Sequence, residues 1–238
     1  MGRSKKVIVA LDMDSLESAC QWVRRLRGAV GGFKVGTQLF SRCGPSAVRA
    51  IKEMGAIVFL DLKFHDIPNT VANGARAAVS MGADIIDVHA QGGREMIRAA
   101  KDAAAEEADR LGVHAPKVLA VTVLTSLDME DLREMGIGHS PVDWVMRLAE
   151  VAVEGGADGV VASAREIGAL RRRFGRELMI VVPGIRPTSI ASDDQRRVTG
   201  PREALDMGAD YIVMGRGLLK AQDPMELLMD LDRENHVQ

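Results

Sequence analysis

Short runs of β-branched and aliphatic residues alternate along the chain with longer amphipathic stretches. The first run lies near 7–12, and others follow near 33–36, 57–63, 85–90, 117–123, 159–163, 179–183 and 211–215. Runs of this length and composition predict buried strands. Between them the spacing predicts helices: Leu16–Leu26 with Ser15 as N-cap, and Pro45–Met54 and Pro141–Val153, each opening on a proline. A longer helical region is expected around 93–111, with extra chain at 126–154.

One phrase recurs. Met54-Gly55-Ala56 precedes IVFLD, Met81-Gly82-Ala83-Asp84 precedes IIDVHA, Gly155-Gly156-Ala157-Asp158 precedes GVVAS, and Met207-Gly208-Ala209-Asp210 precedes YIVMG. A glycine ends a helix in the left-handed conformation, a short link follows, and a buried strand begins. The glycine gaps of 27, 74 and 52 residues approximate one, three and two units. Eight strand–helix units in 238 residues predict an α/β fold, a single (β/α)8 TIM barrel domain over 1–238. A doubly wound open sheet is the alternative.

Composition adds exclusions. With 47% hydrophobic residues the chain can bury a large core, and a formal net charge of −2 favours neither nucleic acid nor an anionic membrane. Arg171-Arg172-Arg173, the longest basic run, reads as a solvated helix face. Cys20 and Cys43 share no metal-ligand spacing and no disulfide framework, which points to a reducing, cytoplasmic setting. No segment has the length of a membrane span, and the apolar run at 7–11 is too short for a signal peptide.

A barrel gives strand ends a meaning, because its active site lies at their C-terminal side. Standing there are Asp12, Lys34, Asp61, Lys63, Asp66, His89, Thr125, Ser126, Gly184, Arg186, Gly215 and Arg216. Gly215-Arg216-Gly217 opens a helix after the eighth strand, where free N–H groups and an arginine suit a phosphate. The polar segment at about 184–200 is long for such a loop and is expected to be a lid over a phosphate-bearing substrate. In DLKFHDIPNT, alternation puts Asp61 and Lys63 on one face, with Asp66 past the strand end. An ammonium between carboxylates keeps its proton, so Lys63 is a candidate proton donor and not a Schiff-base nucleophile. Lys34 can pair with Asp61. A structural ion-pair network is the competing account. His65 and His89 read as structural, and no zinc-type spacing occurs.

ALDMDSLESA, FKVG, FLDLKFHDIPNTV, VTVLTS, VVPGIRP, DDQRRVTGP and GADYIVMGRG together resemble the orotidine 5′-monophosphate decarboxylases of the short bacterial type, nearly end to end and in family order. The resemblance implies conversion of orotidine 5′-monophosphate to uridine 5′-monophosphate and CO2 in pyrimidine biosynthesis, without metal or cofactor, by a homodimer with shared active sites. It implies that Lys63 protonates C6, Asp61 and Asp66 flank the leaving carboxylate, and Lys34 bridges Asp61 to the ribose. Asp12 would bind a ribose hydroxyl and Thr125 the pyrimidine edge, while Asp66 and Thr70 reach the partner's site. Arg186, Gln195, Gly215 and Arg216 would hold the phosphate. Two positions depart from the family pattern: Gly217 stands where a proline is expected, and Gly200 where a threonine is. Both bear on phosphate geometry and not on the charged row. The nearest rival is a Mg²⁺-dependent sugar-phosphate decarboxylase or hexulose-phosphate synthase on the same barrel, a group that usually has an acidic residue where Lys34 stands because its metal needs oxygen ligands. A barrel acting only as a binding module would leave the filled rim unexplained.

Overall fold

The computed structural model describes residues 2–186 and 199–233. Eight parallel strands close on themselves in sequence order: β1 (Val7–Ala10), β2 (Gly32–Gly36), β3 (Val58–Phe64), β4 (Ile85–His89), β5 (Lys117–Val121), β6 (Gly159–Val161), β7 (Met179–Val182) and β8 (Tyr211–Met214). Each strand falls where the apolar runs predict it. Pairing of β1 with β8 through Ile8 and Val213 closes the ring, which decides for the barrel over the open sheet.

The described helices are α1 (Leu16–Leu26), α2 (Thr37–Cys43), α3 (Pro45–Glu53), α4 (Pro68–Met81), α5 (Gly93–Leu111), α6 (Met129–Glu134), α7 (Pro141–Glu154), α8 (Ile167–Phe174), α9 (Pro201–Asp206), α10 (Arg216–Leu219) and α11 (Pro224–Asp232). Ser15 caps α1 as expected, its hydroxyl accepting from the Ser18 N–H at 3.2 Å. The surplus chain at 126–154 holds both α6 and α7. Two apolar cores result. One lies between the helices and the outside of the sheet, and includes Val23, Ile51, Leu60 and Ile86. The other fills the barrel with Ile8, Phe59, Ile85, Leu119, Val121, Val181 and Val213. The barrel interior is therefore packed below its mouth.

The recurring glycine–alanine–aspartate phrase has a structural cause beyond the turn. Gly82, Gly156 and Gly208 adopt positive φ, as the phrase requires. The aspartates that follow tie the strands together at the barrel's base. Asp84 accepts from the Val58 N–H at 2.7 Å, Asp158 from Val118 at 2.9 Å and Asp210 from Ile180 at 2.7 Å. Each is neutralised by a cation: Lys52 on Asp84, Lys101 and Lys117 on Asp158, Arg171 on Asp210. In each case the aspartate before one strand satisfies an otherwise unpaired N–H at the start of its neighbour.

This overturns one expectation. Arg171 is not part of a solvated face. Its side chain is only 13% exposed and donates to the carbonyls of Gly175, Leu178 and Gly208 as well as to Asp210. Arg172 and Arg173 are exposed, as expected. A helix turns about 100° per residue, so three adjacent arginines cannot share one face. Cys20 and Cys43 are both free thiols. Among the described residues, no helix is long and apolar enough to cross a membrane.

Candidate active site

The C-terminal strand ends hold a chain of alternating charges. The Lys34 ammonium on β2 lies 2.9 Å from Asp12 Oδ1 and 3.1 Å from Asp61 Oδ2. Asp61 on β3 also binds the Lys63 ammonium through its other oxygen. Lys34 and Asp61 are buried, whereas Lys63 is partly open to the cavity above. Gly36 keeps room for this pairing, since a Cβ there would stand 2.7 Å from Lys34 Nζ.

Lys63 reaches its place by an irregular backbone. It has φ of 51°, the left-handed region, which costs a non-glycine residue about 1–3 kcal/mol. The β3–β4 register also slips: Leu60 pairs with Ile86, but Phe64 pairs with Val88. Asp61 and Lys63 do face the same cavity, but through a bulged strand end and not through simple alternation. Asp87 on β4 sits behind the bulge, 1% exposed, and accepts the Lys63 backbone N–H at 2.8 Å. Its carboxyl lines the same cavity as that of Asp61, and each shifts the titration of the other.

These contacts set the charge states. Burial pushes Lys34 towards losing its proton, but Asp61 and Asp12 outweigh it and raise its pKa above the ordinary lysine value. Burial also works against the Asp61 charge, yet Lys34, a hydrogen bond from Asp87 and Lys63 together hold it at about 2. Asp87 goes the other way: burial, then the neighbouring Asp61 charge, push it well above the carboxylate range, against an opposing pull from Lys63. His89 is lowered by burial first, then by His65 and Lys63. Its ring lies 5.1 Å from that of the exposed His65.

Two connected spaces open on this row. A cavity of about 220 Å³ is lined by Lys34, Asp61, Lys63, Asp87, Thr125 and Ser126, with Phe59, Val121 and Val161 as its floor. A second, of about 520 Å³, shares Lys34 and Asp61 and runs to Asp12, Arg186, Gly215, Arg216 and Gly217. The first is suited to a planar ring over an apolar floor and the second to an anion at the start of α10. Three site candidates are not part of this assembly. Asp66 is exposed and turns back to accept its neighbour Ile67 N–H at 2.6 Å. Thr70 is exposed on the first turn of α4. Gln195 and most of the expected lid, residues 187–198, lie outside the described residues.

A family model described as orotidine 5'-phosphate decarboxylase / HUMPS family matches residues 5–229. The chain belongs to this family. Among curated members, the orotidine 5'-phosphate decarboxylase of Moorella thermoacetica is 52% identical over 226 residues, covering 94% of this chain and 90% of that one. The one of Syntrophotalea carbinolica is 50% identical over 221 residues, 93% of this chain and 91% of the relative. The crystal structure of orotidine 5'-phosphate decarboxylase from Lactobacillus acidophilus superposes with a TM-score of 0.84 at 36% identity, covering 97% of this chain and all of that one.

Within this decarboxylase / HUMPS family fold, sequence reasoning missed Asp87. Its signal was present in IIDVH: a carboxylate two positions from Ile85, whose side chain packs inside the barrel, must itself point inwards.

Proposed function

We propose that the protein decarboxylates orotidine 5′-monophosphate to uridine 5′-monophosphate, with Lys63 as the proton donor. The observation that carries this reading is the Asp12–Lys34–Asp61–Lys63 chain at the mouth of a cavity with an apolar floor and an anion-suited far end. The high identity to curated orotidine 5'-phosphate decarboxylases over almost the whole chain supports the same substrate.

In this reading the C6–carboxylate bond breaks and CO2 leaves with no charge. The bonding pair stays on C6, in the ring plane, where the ring's π system cannot delocalise it. The Lys63 ammonium stabilises that charge as it develops and then delivers its proton to C6. The resulting amine regains a proton from solvent. Asp61 bears its charge against the substrate carboxylate. Two such charges 4 Å apart repel by about 4 kcal/mol at an effective dielectric of about 20, and loss of CO2 removes the repulsion. Phosphate contacts at Gly215, Arg216, Arg186 and Gln195 supply the binding energy that offsets it. Lys34 fixes Asp61 and reaches the ribose, Asp12 binds a ribose hydroxyl, and Thr125 the pyrimidine edge.

Asp66 and Thr70 act in this reading across a homodimer interface, each completing the partner's site. Their exposure, beside an Ile67 that is 66% exposed, supports an interface there. The reading requires neither metal nor cofactor. Lys34 lies between Asp12 and Asp61, where a Mg²⁺-dependent sugar-phosphate enzyme would need an oxygen ligand, and this disfavours the rival.

The test is CO2 release from orotidine 5′-monophosphate in EDTA, beside a Lys63→Ala control. Turnover should survive the chelator and fall at least about 10²–10⁴-fold in the control. A folded protein without turnover would reject the reading.

A further inference from the structure

Asp87 is the most deeply buried charged-type side chain at the barrel mouth, and the mechanism above does not use it. Its placement is specific. It accepts the N–H of Lys63 at 2.8 Å, the one described non-glycine residue with positive φ. It also lines the same cavity wall as Asp61, near enough that each carboxyl perturbs the other. An ionised carboxylate only accepts hydrogen bonds, so a carboxyl beside Asp61 can donate to it only by carrying a proton. Asp61 is bound by two ammonium groups, Lys34 and Lys63. Asp87, 1% exposed and with no ion pair among the described residues, is the one of the two placed to carry a proton.

We propose that Asp87 is a positioning residue for the decarboxylation: a neutral carboxylic acid that donates to Asp61 and accepts from the Lys63 N–H, holding the two reacting side chains in register. This rests on the decarboxylase reading of the same site. The surroundings agree with it. Asp61 and Lys63 face Asp87 from β3, and His89 follows it on the inward face of β4. On the other side β5 presents Leu119 and Val121, which do not titrate. Burial and the adjacent Asp61 charge both favour the protonated form, and Lys63 alone opposes it. One neutral side chain thus does two things. It keeps Asp61 charged without adding a second negative charge beside the proton donor. It also pins the left-handed residue that aims the ammonium into the cavity.

The experiment compares wild type, Asp87→Asn and Asp87→Ala. Asparagine can still donate to Asp61 and accept from Lys63, whereas alanine can do neither. Asp87→Ala should lose about 10²-fold in kcat with KM changed far less, the scale expected for a reacting group displaced by about 1 Å. Asp87→Asn should restore kcat to within a few-fold of wild type, with a pH–rate profile that overlays it. A folded Asp87→Ala protein with wild-type kcat would overturn the proposal. So would an Asp87→Asn protein as impaired as Asp87→Ala. Because the alanine variant risks misfolding, infrared difference spectroscopy of wild type against Asp87→Asn at neutral pH is the second readout. A protonated-carboxylic-acid carbonyl band lost in the variant supports the neutral acid, and a carboxylate band in its place refutes it. The infrared result does not depend on turnover, so a failure of the substrate assignment is distinguishable from a failure of this one.

Discussion

Lys34 Nζ and Asp61 Oδ2 lie 3.1 Å apart, both buried, and Lys34 spans the space between Asp61 and Asp12. Removing the lysine leaves Asp61 with Lys63 as its remaining cation, in a site that disfavours charge. Lys34→Ala should therefore raise the Asp61 pKa. It should also destabilise the fold by about 2–4 kcal/mol, somewhat below the cost of stranding a fully buried ion. In the decarboxylase reading turnover should fall with it, because Asp61 loses a partner that fixes its position. Urea denaturation and steady-state kinetics on one preparation check both. Full stability in Lys34→Ala would mean that the pair contributes nothing net.

The exposure of Asp66 leads to a prediction about assembly. If Asp66 serves the partner's site, Asp66→Asn and Lys63→Ala are each inactive, but a mixed dimer contains one site with both residues intact. Equal mixing makes half of the dimers mixed, so up to about a quarter of sites should regain activity. The check is turnover after subunit exchange, confirmed by native mass spectrometry. No recovery in exchanged dimers would place Asp66 outside the partner's site.

Arg171 and Arg172 are adjacent and chemically identical, yet they should behave differently. Arg171 holds Asp210 and three carbonyls at the base of the barrel, while Arg172 is exposed. Arg171→Ala should cost about 2–4 kcal/mol, since it strands polar groups that are partly buried. Arg172→Ala should stay within about 0.5 kcal/mol of wild type. Thermal and urea melts of the two variants decide the matter.

Asp87 and Asp61 have opposite linkage to pH. Folded Asp87 keeps its proton above pH ~4, where the unfolded side chain has lost it. The folded state then binds one proton more, so stability falls as pH rises, by about 1.4 kcal/mol per unit until folded Asp87 titrates. Folded Asp61, at about 2, lies below its unfolded value. Its contribution, about 2–3 kcal/mol, is present above pH ~4 and is lost as pH falls towards 2. Asp87→Asn removes the first effect and keeps the second. The stability of Asp87→Asn relative to wild type should therefore grow as pH rises above ~4. A constant difference would mean that Asp87 titrates as it does in the unfolded chain.

The barrel was legible because its repeat is local. Each helix stop, link and strand sits within about a dozen residues, and a closed parallel sheet follows from eight of them. Lys34, Asp61 and Lys63 were legible because the fold assigns strand ends a role. What could not be read depends on direction in space. Three arginines in a row look alike as composition, but only Arg171 faces Asp210. Asp87 lies inside an apolar strand, where a carboxylate reads as noise until the inward parity of its strand is known. The bulge at Lys63 changes register between two strands, which no single strand's pattern records. Asp66 follows Lys63 by three residues, yet the turn into α4 carries it out to solvent.

The backbone at Lys63 permits a test that separates its conformation from its charge. Both Lys63→Ala and Lys63→Gly remove the ammonium and leave Asp61 with Lys34. They differ in what φ of 51° costs and in the freedom of the unfolded chain. Alanine retains a Cβ that disfavours the left-handed region by about 1–2 kcal/mol, whereas glycine enters it freely but gains entropy in the unfolded chain. The first effect exceeds the second, so Lys63→Gly should be the more stable variant by about 1 kcal/mol, although both lack the proposed proton donor. Paired urea denaturation at neutral pH measures the difference directly. Glycine no more stable than alanine would mean that residue 63 leaves the left-handed region once its ammonium is gone. Asp61 and the Lys63 side chain would then be what holds the bulge, and not the hydrogen bond from the Lys63 N–H to Asp87.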